Sequence, residues 1–377
     1  MIALEIIFWL CAGLLVYAQV GYTLLLALTA RAVRRPVTGT PADDAALPAV
    51  SVVVAAYAEE PVIGERIANL LALDYPRDRL EVIVACDGSP DATAERARQA
   101  GADLVLELPR QGKVLTQDTG FARARGEIVA FSDANAHWEP DALRKLVARF
   151  GDRRTGYVCG QVHVVSSQGT NQEGLYWRYE MWIRTLESRV RSITAGNGSI
   201  YATRRESYLA SDGIMGHDLG FPFKMVKGGW RAVYAPEARS TELMLPSIEG
   251  EFSRKRRMAS QTWRTTLRGG MLSPRGYDPL YAWMIFSHRF LRYMTPFVHL
   301  IALGTNIALV GQGWVYVATL VVQLAALAAA LLAPVVPLRG LLVARYYVLT
   351  TASLAVGLWD WLRHGAPAMW EPIEGSR

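Results

Sequence analysis

Three short apolar runs decide the fold of this chain: AVSVVVAA at residues 49–56, LEVIVAC at 80–86 and IVAFS at 128–132. Their length and their β-branched residues are typical of buried strands. Charged amphipathic stretches at 61–73 and 91–100 separate the runs and are typical of helices. This alternation predicts an α/β domain over residues 49–277 with a mainly parallel, Rossmann-like sheet. Ligands bind such sheets at the carboxyl ends of the strands, and polar residues follow these runs.

An apolar tract precedes this domain. Residues 2–30 carry one charge, Glu5, and exceed the length of about 20 apolar residues that crosses a bilayer. We therefore expect residues 1–35 to be an N-terminal transmembrane anchor and residues 36–48 to be a linker. Arginines follow the tract at once, and basic residues favour the cytoplasmic side of a membrane. The pattern predicts a multi-pass protein of the inner (plasma) membrane whose α/β domain is cytoplasmic.

A second apolar region follows the domain. Residues 278–292 mix aromatic, basic and apolar side chains, which predicts a helix that lies in the membrane interface. Apolar tracts within residues 293–363 predict about three further transmembrane helices, and residues 364–377 form a tail. Membrane lipids are therefore expected partners.

The composition excludes other classes of protein. The chain is 51% hydrophobic with a formal net charge of +6, which we attribute to the basic edge of a membrane protein. Nucleic acid is not an expected partner, because no basic run has interleaved aromatic residues. Cys11, Cys86 and Cys159 lack the spacing of a metal site, and an odd count gives no disulfide framework.

Polar residues follow the first two runs. Tyr57 and Glu59 come after the first run, and Asp87 comes after the second. Carboxylates at these strand ends can accept hydrogen bonds from a nucleotide base or ribose. The other interpretation of Asp87 is a turn or a helix cap, because Asp-Gly is common in both.

The third run leads into a candidate diphosphate and metal site. Asp133 and Asn135 offer two oxygen side chains at i and i+2, which suits a Mg²⁺ or Mn²⁺ ion shared with phosphates. Lys113 would add a positive charge near those phosphates. The alternative is that Asp133 caps a helix predicted over residues 139–150.

Two features lie further along the chain. Asp218 is a candidate general base that takes a proton from an attacking hydroxyl group, and its alternative is a helix N-cap. Residues 254–257, RKRR, form the densest basic cluster. That cluster is suited equally to neutralising phosphate and to attracting anionic lipids.

Five segments in this order resemble glycosyltransferase family 2, which has the GT-A fold. They are AAYAEEPVI at 55–63, VIVACDGSPDAT at 82–93, GKVLTQDTGFARARGEIVAFSDAN at 112–135, AGNGSIYATRRE at 195–206 and HDLGFPFKMVKGGWRAVY at 217–234. The resemblance covers about residues 49–270. The transmembrane tracts on both sides are similar to those of bacterial polysaccharide synthases and lipid-linked sugar transferases.

The resemblance implies a role for each candidate residue. Tyr57, Glu59 and Asp87 would bind a nucleotide-sugar donor, expected to be a UDP-sugar. Lys113 and Asp133 would lie at the diphosphate and a divalent metal.

The resemblance also places the acceptor side of the site. Asp218 would be the base of a reaction that inverts the anomeric carbon. Asn197 and Gly198 lie in a segment similar to the acceptor-side loop, and Arg257 matches the arginine of the QxxRW motif of processive synthases.

The chain departs from the family pattern at several positions. Ala58 stands for the usual Asn, His217 for an acid, and Asn135 for the second acid of the DxD motif. Arg257 is kept, but Met258 replaces the Trp of QxxRW and its Gln is also lost. The loss of this Gln and Trp favours addition of one or few sugars to a lipid-linked or glycan acceptor, with a processive polysaccharide synthase as the alternative.

One alternative from another class is a membrane-tethered nucleotide-binding regulator without turnover. Loss of the base would favour it, and Asp218 is present. A dinucleotide oxidoreductase would need G-x-G-x-x-G after the first strand, where this chain reads AYAEEPVIG.

Overall fold

The computed structural model describes residues 1–33, 44–165, 173–210, 213, 215–243, 248–336 and 338–365. Much of the predicted linker and nearly all of the predicted tail therefore lie outside the described residues. The strands are β1 (Val50–Ala56), β2 (Leu80–Asp87), β3 (Leu104–Leu108), β4 (Ile128–Asp133), β5 (His137–Trp138), β6 (Thr155–Val165), β7 (Tyr201–Arg204) and β8 (Arg231–Leu243).

The helices of the α/β domain are α3 (Ile63–Leu71), α4 (Thr93–Gln99), α5 (Lys113–Arg123), α6 (Ala142–Ala148), α7 (Glu173–Val190), α8 (His217–Lys227) and α9 (Ile248–Leu267). The apolar helices are α1 (Ile2–Val16), α2 (Tyr22–Ala32), α10 (Pro279–Met284), α11 (Leu291–Leu309), α12 (Trp314–Leu332) and α13 (Arg339–His364).

The described strands form an eight-stranded sheet in the order β3-β2-β1-β4-β7-β6-β8-β5. β1, β2, β3 and β4 are parallel to their neighbours within this set, whereas β7 pairs antiparallel to both β4 and β6. The predicted α/β fold is confirmed, and its second half is mixed because β7 runs against the first four strands.

The central strand β1 explains why the first apolar run lacks alternation. All seven of its residues are buried. Val52 and Val54 join the core on one face of the sheet, whereas Val53 packs with Phe131 in the core on the other. A strand covered on both faces has no solvent side, so every position is apolar or small.

Four described helical segments are long and apolar enough to cross a membrane by length and composition: Ile2–Ala32, Pro279–Gln312, Trp314–Leu332 and Arg339–His364. These spans are consistent with a membrane protein. The predicted interfacial helix over 278–292 is continuous with the helix that follows it. The division of the chain into domains and its orientation in the membrane stay predictions.

Helix α9 joins the α/β domain to the apolar helices. Trp263 is buried in a cluster with Tyr293 and Trp361, and its indole N–H donates to the carbonyl of Leu354 at 2.8 Å. Burial of such large aromatic rings stabilises the contact by roughly 2 to 3 kcal/mol each. The α/β domain is thereby held against α11 and α13.

Candidate active site

The site lies where β1, β2 and β4 end. These strands are parallel and in register, with Ala55 beside Asp133 and Ala56 beside Cys86. Their carboxyl ends therefore meet at one edge of the sheet, and the loops that follow carry the predicted donor residues. The order of the sheet thus brings together side chains that are far apart in the sequence.

The loop after β1 is fastened to the start of α4. The backbone N–H of Glu59 donates to the Thr93 hydroxyl at 2.9 Å, and the N–H of Glu60 donates to Asp91 Oδ2 at 3.2 Å. Glu59 is 6% exposed. Its carboxylate is therefore a buried group at the strand ends and not a solvated acid, and its role in donor binding stays a prediction.

Tyr57 forms a cation–π contact with Arg110, whose guanidinium carbon lies 3.1 Å from the centroid of the tyrosine ring. Arg110 was missed in the sequence analysis, because it follows the edge strand β3 and belongs to no motif. The pair offers a flat, positively charged surface beside the strand ends. Such a surface suits a nucleobase and the negative charge attached to it.

Asp87 is buried and organises the loop before α5. Its carboxylate accepts hydrogen bonds from the backbone N–H of Gln111 at 2.7 Å, the N–H of Gly112 at 3.1 Å and the Arg110 guanidinium at 3.2 Å. Gly112 has a φ of +93°, a left-handed conformation that favours glycine. Asp87 is therefore not a helix cap. It places Lys113, the first residue of α5, at the strand ends.

Lys113 and Asp133 meet in a direct ion pair. Burial opposes the lysine charge, but Asp133 and then Asp218 outweigh it and hold the pKa of Lys113 above its ordinary value. The lysine is therefore a cation at neutral pH. Asp133 does not cap α6, because that helix begins at Ala142 after Asp141.

The segment 193–199 closes this part of the site. The Ser199 hydroxyl donates to Asp133 Oδ2 at 3.3 Å. A side chain added at Gly198 would lie 3.5 Å from Lys113 Nζ and 3.8 Å from Asp133 Oδ2. The structure thus brings Gly198, Lys113 and Asp133 together, with the glycine backbone facing the ion pair.

Asn197 shapes the segment from within. Its amide nitrogen donates to the Gly160 carbonyl at 2.6 Å, and its amide oxygen accepts from the backbone N–H of Ile200 at 2.9 Å and of Ser199 at 3.2 Å. These bonds use both ends of the amide. The side chain accordingly holds the turn, and Gly198 is the residue of the pair that faces the site.

Asp218 is the second residue of α8, which begins after Gly216, so the N-cap interpretation is wrong. Its Oδ1 accepts from the backbone N–H of Leu219 at 2.9 Å, and its main-chain carbonyl accepts from the N–H of Gly196 at 2.7 Å. The half-buried carboxylate is thus fixed by its own helix. Gly196 connects it to the segment that carries Gly198.

His217, the residue before Asp218, is buried in the core. Its Nδ1 lies 2.7 Å from the Tyr201 hydroxyl and its Nε2 lies 3.4 Å from Asp118 Oδ1, while its ring stacks on Phe221. Burial lowers the pKa of His217 below its ordinary value, against the opposing effect of Asp118. The ring is therefore neutral at pH 7, and Tyr201 and Asp118 lie at its two nitrogens, so it is held within the core.

The side chains of the basic cluster over 254–257 lie in two different environments, one against α13 and one near the site. Lys255 contacts the Tyr346 hydroxyl and Arg256 pairs with Asp360, both on α13. Arg254, by contrast, is close enough to Glu242 for its charge to act on that carboxyl group. The cluster thus connects the site to α13, one of the helices long and apolar enough to cross a membrane. The phosphate-binding role of Arg257 stays a prediction.

Glu242 was also missed in the sequence analysis. It lies near the end of β8, more than a hundred residues after Asp133, and no motif marks it. Burial, followed by the charge of Asp133, raises its pKa above the ordinary value, against the opposing effects of Ser199 and Lys113. The structure therefore adds a second carboxyl group beside Asp133.

The segment 193–199 is also tied to the apolar helices. The Tyr281 hydroxyl donates to the Ile193 carbonyl at 2.9 Å, and Arg289 Nε donates to the Thr194 hydroxyl at 2.8 Å. The carboxylate of Glu187 accepts from the Thr194 N–H at 2.9 Å and lies 2.6 Å from His288 Nδ1. The position of this segment therefore depends on the helix Pro279–Gln312.

Comparison with known proteins gives this geometry its context. Residues 51–210 match the family described as Glycosyl transferase family 2. The chain is similar to an N-acetylglucosaminyltransferase of Rhizobium meliloti (strain 1021), with 26% identity over 323 residues that cover 78% of this chain and 71% of that protein. It is also similar to a beta-monoglucosyldiacylglycerol synthase of Synechocystis sp., with 30% identity over 51% of this chain and 42% of the relative.

A solved structure shares the fold. The mannosyltransferase PcManGT from Pyrobaculum calidifontis, in complex with GDP-Man and Mn²⁺, superposes with a TM-score of 0.71 and 23% identity. The match covers 95% of this chain and 99% of that chain. The interpretation as a regulator without turnover is not supported, because the named relatives are glycosyltransferases. The predicted resemblance is confirmed: this chain is a glycosyltransferase of the GT-A fold that carries a glycosyl transferase family 2 domain.

Proposed function

We propose that the protein is an inverting glycosyltransferase that moves a sugar from a nucleotide-diphosphate sugar to a lipid-linked acceptor at the cytoplasmic face of the membrane. The observation that carries this proposal is the meeting of Lys113, Asp133 and Gly198 at the strand ends, with Asp218 joined to the same segment through Gly196. A cation, an acid and a separate base gathered around one short segment suit transfer from an anionic donor.

The donor side is suited to a diphosphate. The Lys113 ammonium can exchange its contact with Asp133 for a phosphate oxygen, and Arg110 lies over Tyr57 where the nucleobase would stack. We expect a UDP-sugar, with Glu59 and Asp87 at its base and ribose. Because Asp87 already holds the 110–112 loop, its effect on the nucleotide is partly through that loop.

A divalent cation fits the same place. Asp133 offers a carboxylate, Asn135 a side-chain amide oxygen and Ser199 a hydroxyl nearby, which is the oxygen chemistry that Mg²⁺ and Mn²⁺ prefer. Asp133 and Asn135 would hold the ion together with the donor phosphates. When bound, the ion neutralises the charge that develops on the departing diphosphate.

The base acts on the opposite side of the sugar. Asp218 accepts the proton of the acceptor hydroxyl as that oxygen attacks the anomeric carbon. The bond from the anomeric carbon to the diphosphate oxygen breaks, and the nucleoside diphosphate leaves with that electron pair. Attack from the face opposite the leaving group inverts the configuration.

The acceptor is expected to be lipid-linked. The segment 193–199 is bonded to the helix Pro279–Gln312, and Lys255 and Arg256 contact α13, so the site is joined to the apolar helices. A lipid phosphate at the membrane surface would be attracted by the basic cluster. The Gln and Trp of the QxxRW motif are lost at residues 254–258, so this stretch offers no aromatic side chain on which a growing polysaccharide would stack.

The test is product analysis of the full chain in native lipids. Purified protein is offered a panel of radiolabelled UDP- and GDP-sugars, and products are sized by mass spectrometry after exhaustive reaction. We expect transfer from one class of donor and one or a few sugars on an extractable lipid. A long, lipid-free polysaccharide would establish the processive synthase instead.

A further inference from the structure

The turn that follows β4 is short of negative charge for a divalent cation. Asp133 supplies one carboxylate, but Asn135 is neutral where the second acid would be expected. One carboxylate that is already paired with Lys113, together with a neutral amide, is a weak site for Mg²⁺ or Mn²⁺, because carboxylates are the ligands that neutralise the charge of these ions. Another acid nearby would correct this deficit.

Strand pairing places Glu242 beside this turn. β5 follows the turn directly and pairs antiparallel with β8, with His137 opposite Thr241 and Trp138 opposite Ser240. Glu242 is the residue after Thr241 in β8. Because the two strands are antiparallel, it lies beside the end of the turn that precedes β5. The backbone pairing therefore places Glu242 next to the segment from Asp133 to Asn135, independently of the conformation of its side chain.

Side-chain contacts agree with that placement. Ser199 donates to Asp133 Oδ2 at 3.3 Å and also forms a hydrogen bond with the Glu242 carboxyl group. One hydroxyl group thus lies between the two carboxyl groups. Lys113 and Arg254 are close enough for their charges to act on Glu242, which limits the repulsion between the acids while no cation is bound.

One oxygen of Glu242 has no hydrogen-bond partner among the described residues. Its Oε1 is inaccessible to solvent and makes no hydrogen bond. Burying a carboxyl oxygen without a partner is unfavourable, because the oxygen loses its hydrogen bonds to water and gains none in return. Such an oxygen beside a second acid is the arrangement that a bound cation would satisfy.

We propose that Glu242 is the second carboxylate of the metal site and replaces the acid that Asn135 lacks. Asp133, Glu242 and the Asn135 amide oxygen would bind one Mn²⁺ or Mg²⁺, with the remaining positions taken by the donor diphosphate and water. The inference rests on the proposed function, since the ion is the one that the diphosphate brings to the site. Two carboxylates balance the charge of a divalent ion.

The test measures ion binding and not turnover. Free Mn²⁺ is followed by electron paramagnetic resonance as it is titrated into full-length protein in detergent with saturating UDP. Glu242→Gln should weaken Mn²⁺ binding by about tenfold or more. The control is Glu237→Gln, on the same strand, where the side chain is paired with Arg149 on the protein surface and should leave binding unchanged.

A rescue variant separates lost charge from lost structure. Asn135→Asp restores a second acid within the turn, so the double variant with Glu242→Gln should regain most of the affinity. Equal affinity of Glu242→Gln and wild type would overturn the inference, and so would a double variant as weak as the single one. Absence of Mn²⁺ binding by wild-type protein with UDP would instead refute the metal-dependent donor site of the proposed function.

Discussion

The backbone N–H of Gly196 donates a hydrogen bond to the main-chain carbonyl of Asp218 at 2.7 Å. This bond joins the first turn of α8 to the segment that reaches Asp133 through Ser199. The same segment is bonded at Ile193 to the hydroxyl of Tyr281 on a membrane-type helix. A single stretch of seven residues, 193–199, therefore connects the base, the diphosphate site and the apolar helices.

Asp218→Asn should leave nucleotide binding nearly intact and reduce turnover by at least about 100-fold, because the amide cannot accept the acceptor proton. The amide still accepts the Leu219 N–H, so the start of α8 is kept. Initial rates with saturating acceptor, and nucleotide affinity by calorimetry, are the measurements. The control is Asp212→Asn, at the acid six residues earlier in the sequence, which does not match the family base. Wild-type turnover in Asp218→Asn would remove Asp218 from the base role.

Asp133→Ala should weaken Mn²⁺-dependent binding of the nucleoside diphosphate and release Lys113 from its ion pair. Calorimetric titration of UDP with and without Mn²⁺ measures the difference. Asp141→Ala is the control, since Asp141 pairs with Lys145 on the surface of α6. The metal site is misplaced if wild type and Asp133→Ala bind UDP equally, with or without the ion.

Tyr281→Phe removes the hydrogen bond to the Ile193 carbonyl without changing the aromatic packing. A lost buried hydrogen bond of about 1 kcal/mol should lower the population of the productive segment and reduce acceptor kcat/KM up to about tenfold. Nucleotide affinity should not change. The matched control is Tyr277→Phe, because Tyr277 packs 5.1 Å from Tyr281 but donates to Met271, away from the site. An equal loss in both variants would show a general effect on the helix.

His217 should make stability depend on pH. Its folded pKa is lowered mainly by burial, so the unfolded chain binds the proton more readily. The contribution is therefore fully present above the unfolded pKa of about 6.5 and is lost as the pH falls through that value. Asp118 and Asp218 oppose this shift, while Lys113 reinforces it.

The measurement for His217 is the unfolding midpoint in detergent at pH 7.5 and 5.5. His217→Gln should show a smaller fall than wild type, because glutamine does not titrate but can still accept from the Tyr201 hydroxyl. His137→Gln, at an exposed position, should behave as wild type. Identical pH dependence in all three proteins would contradict a role for His217.

The fold and the family could be predicted from local sequence. The run at β1 is buried on both faces, so each of its residues is apolar or small, and this pattern can be recognised without knowing which strands lie beside it. Asp87 and Asp133 end strands, whereas Lys113 and Asp218 lie at the start of helices. The order of these four residues along the chain resembles a known family. Those positions are local properties, which is why the sequence alone determines them.

Partners across the fold could not be predicted in this way. Arg110 contacts Tyr57 from beyond the edge strand β3, and Glu242 lies close enough to Asp133 for their charges to interact because β8 pairs with the short strand β5. Neither relationship is visible in the spacing of residues. Both depend on which strands are neighbours, and that order follows from packing of the whole chain.

The sequence determined which side chains end the strands, because strand length and polarity are set residue by residue. The tertiary structure decided what those side chains contact. In the folded chain, Asp87 accepts hydrogen bonds from the 110–112 loop, and residues 193–199 are hydrogen-bonded to the helix Pro279–Gln312. The physical reason is that a buried polar group must find a partner, and only the folded chain fixes which group is within hydrogen-bonding distance.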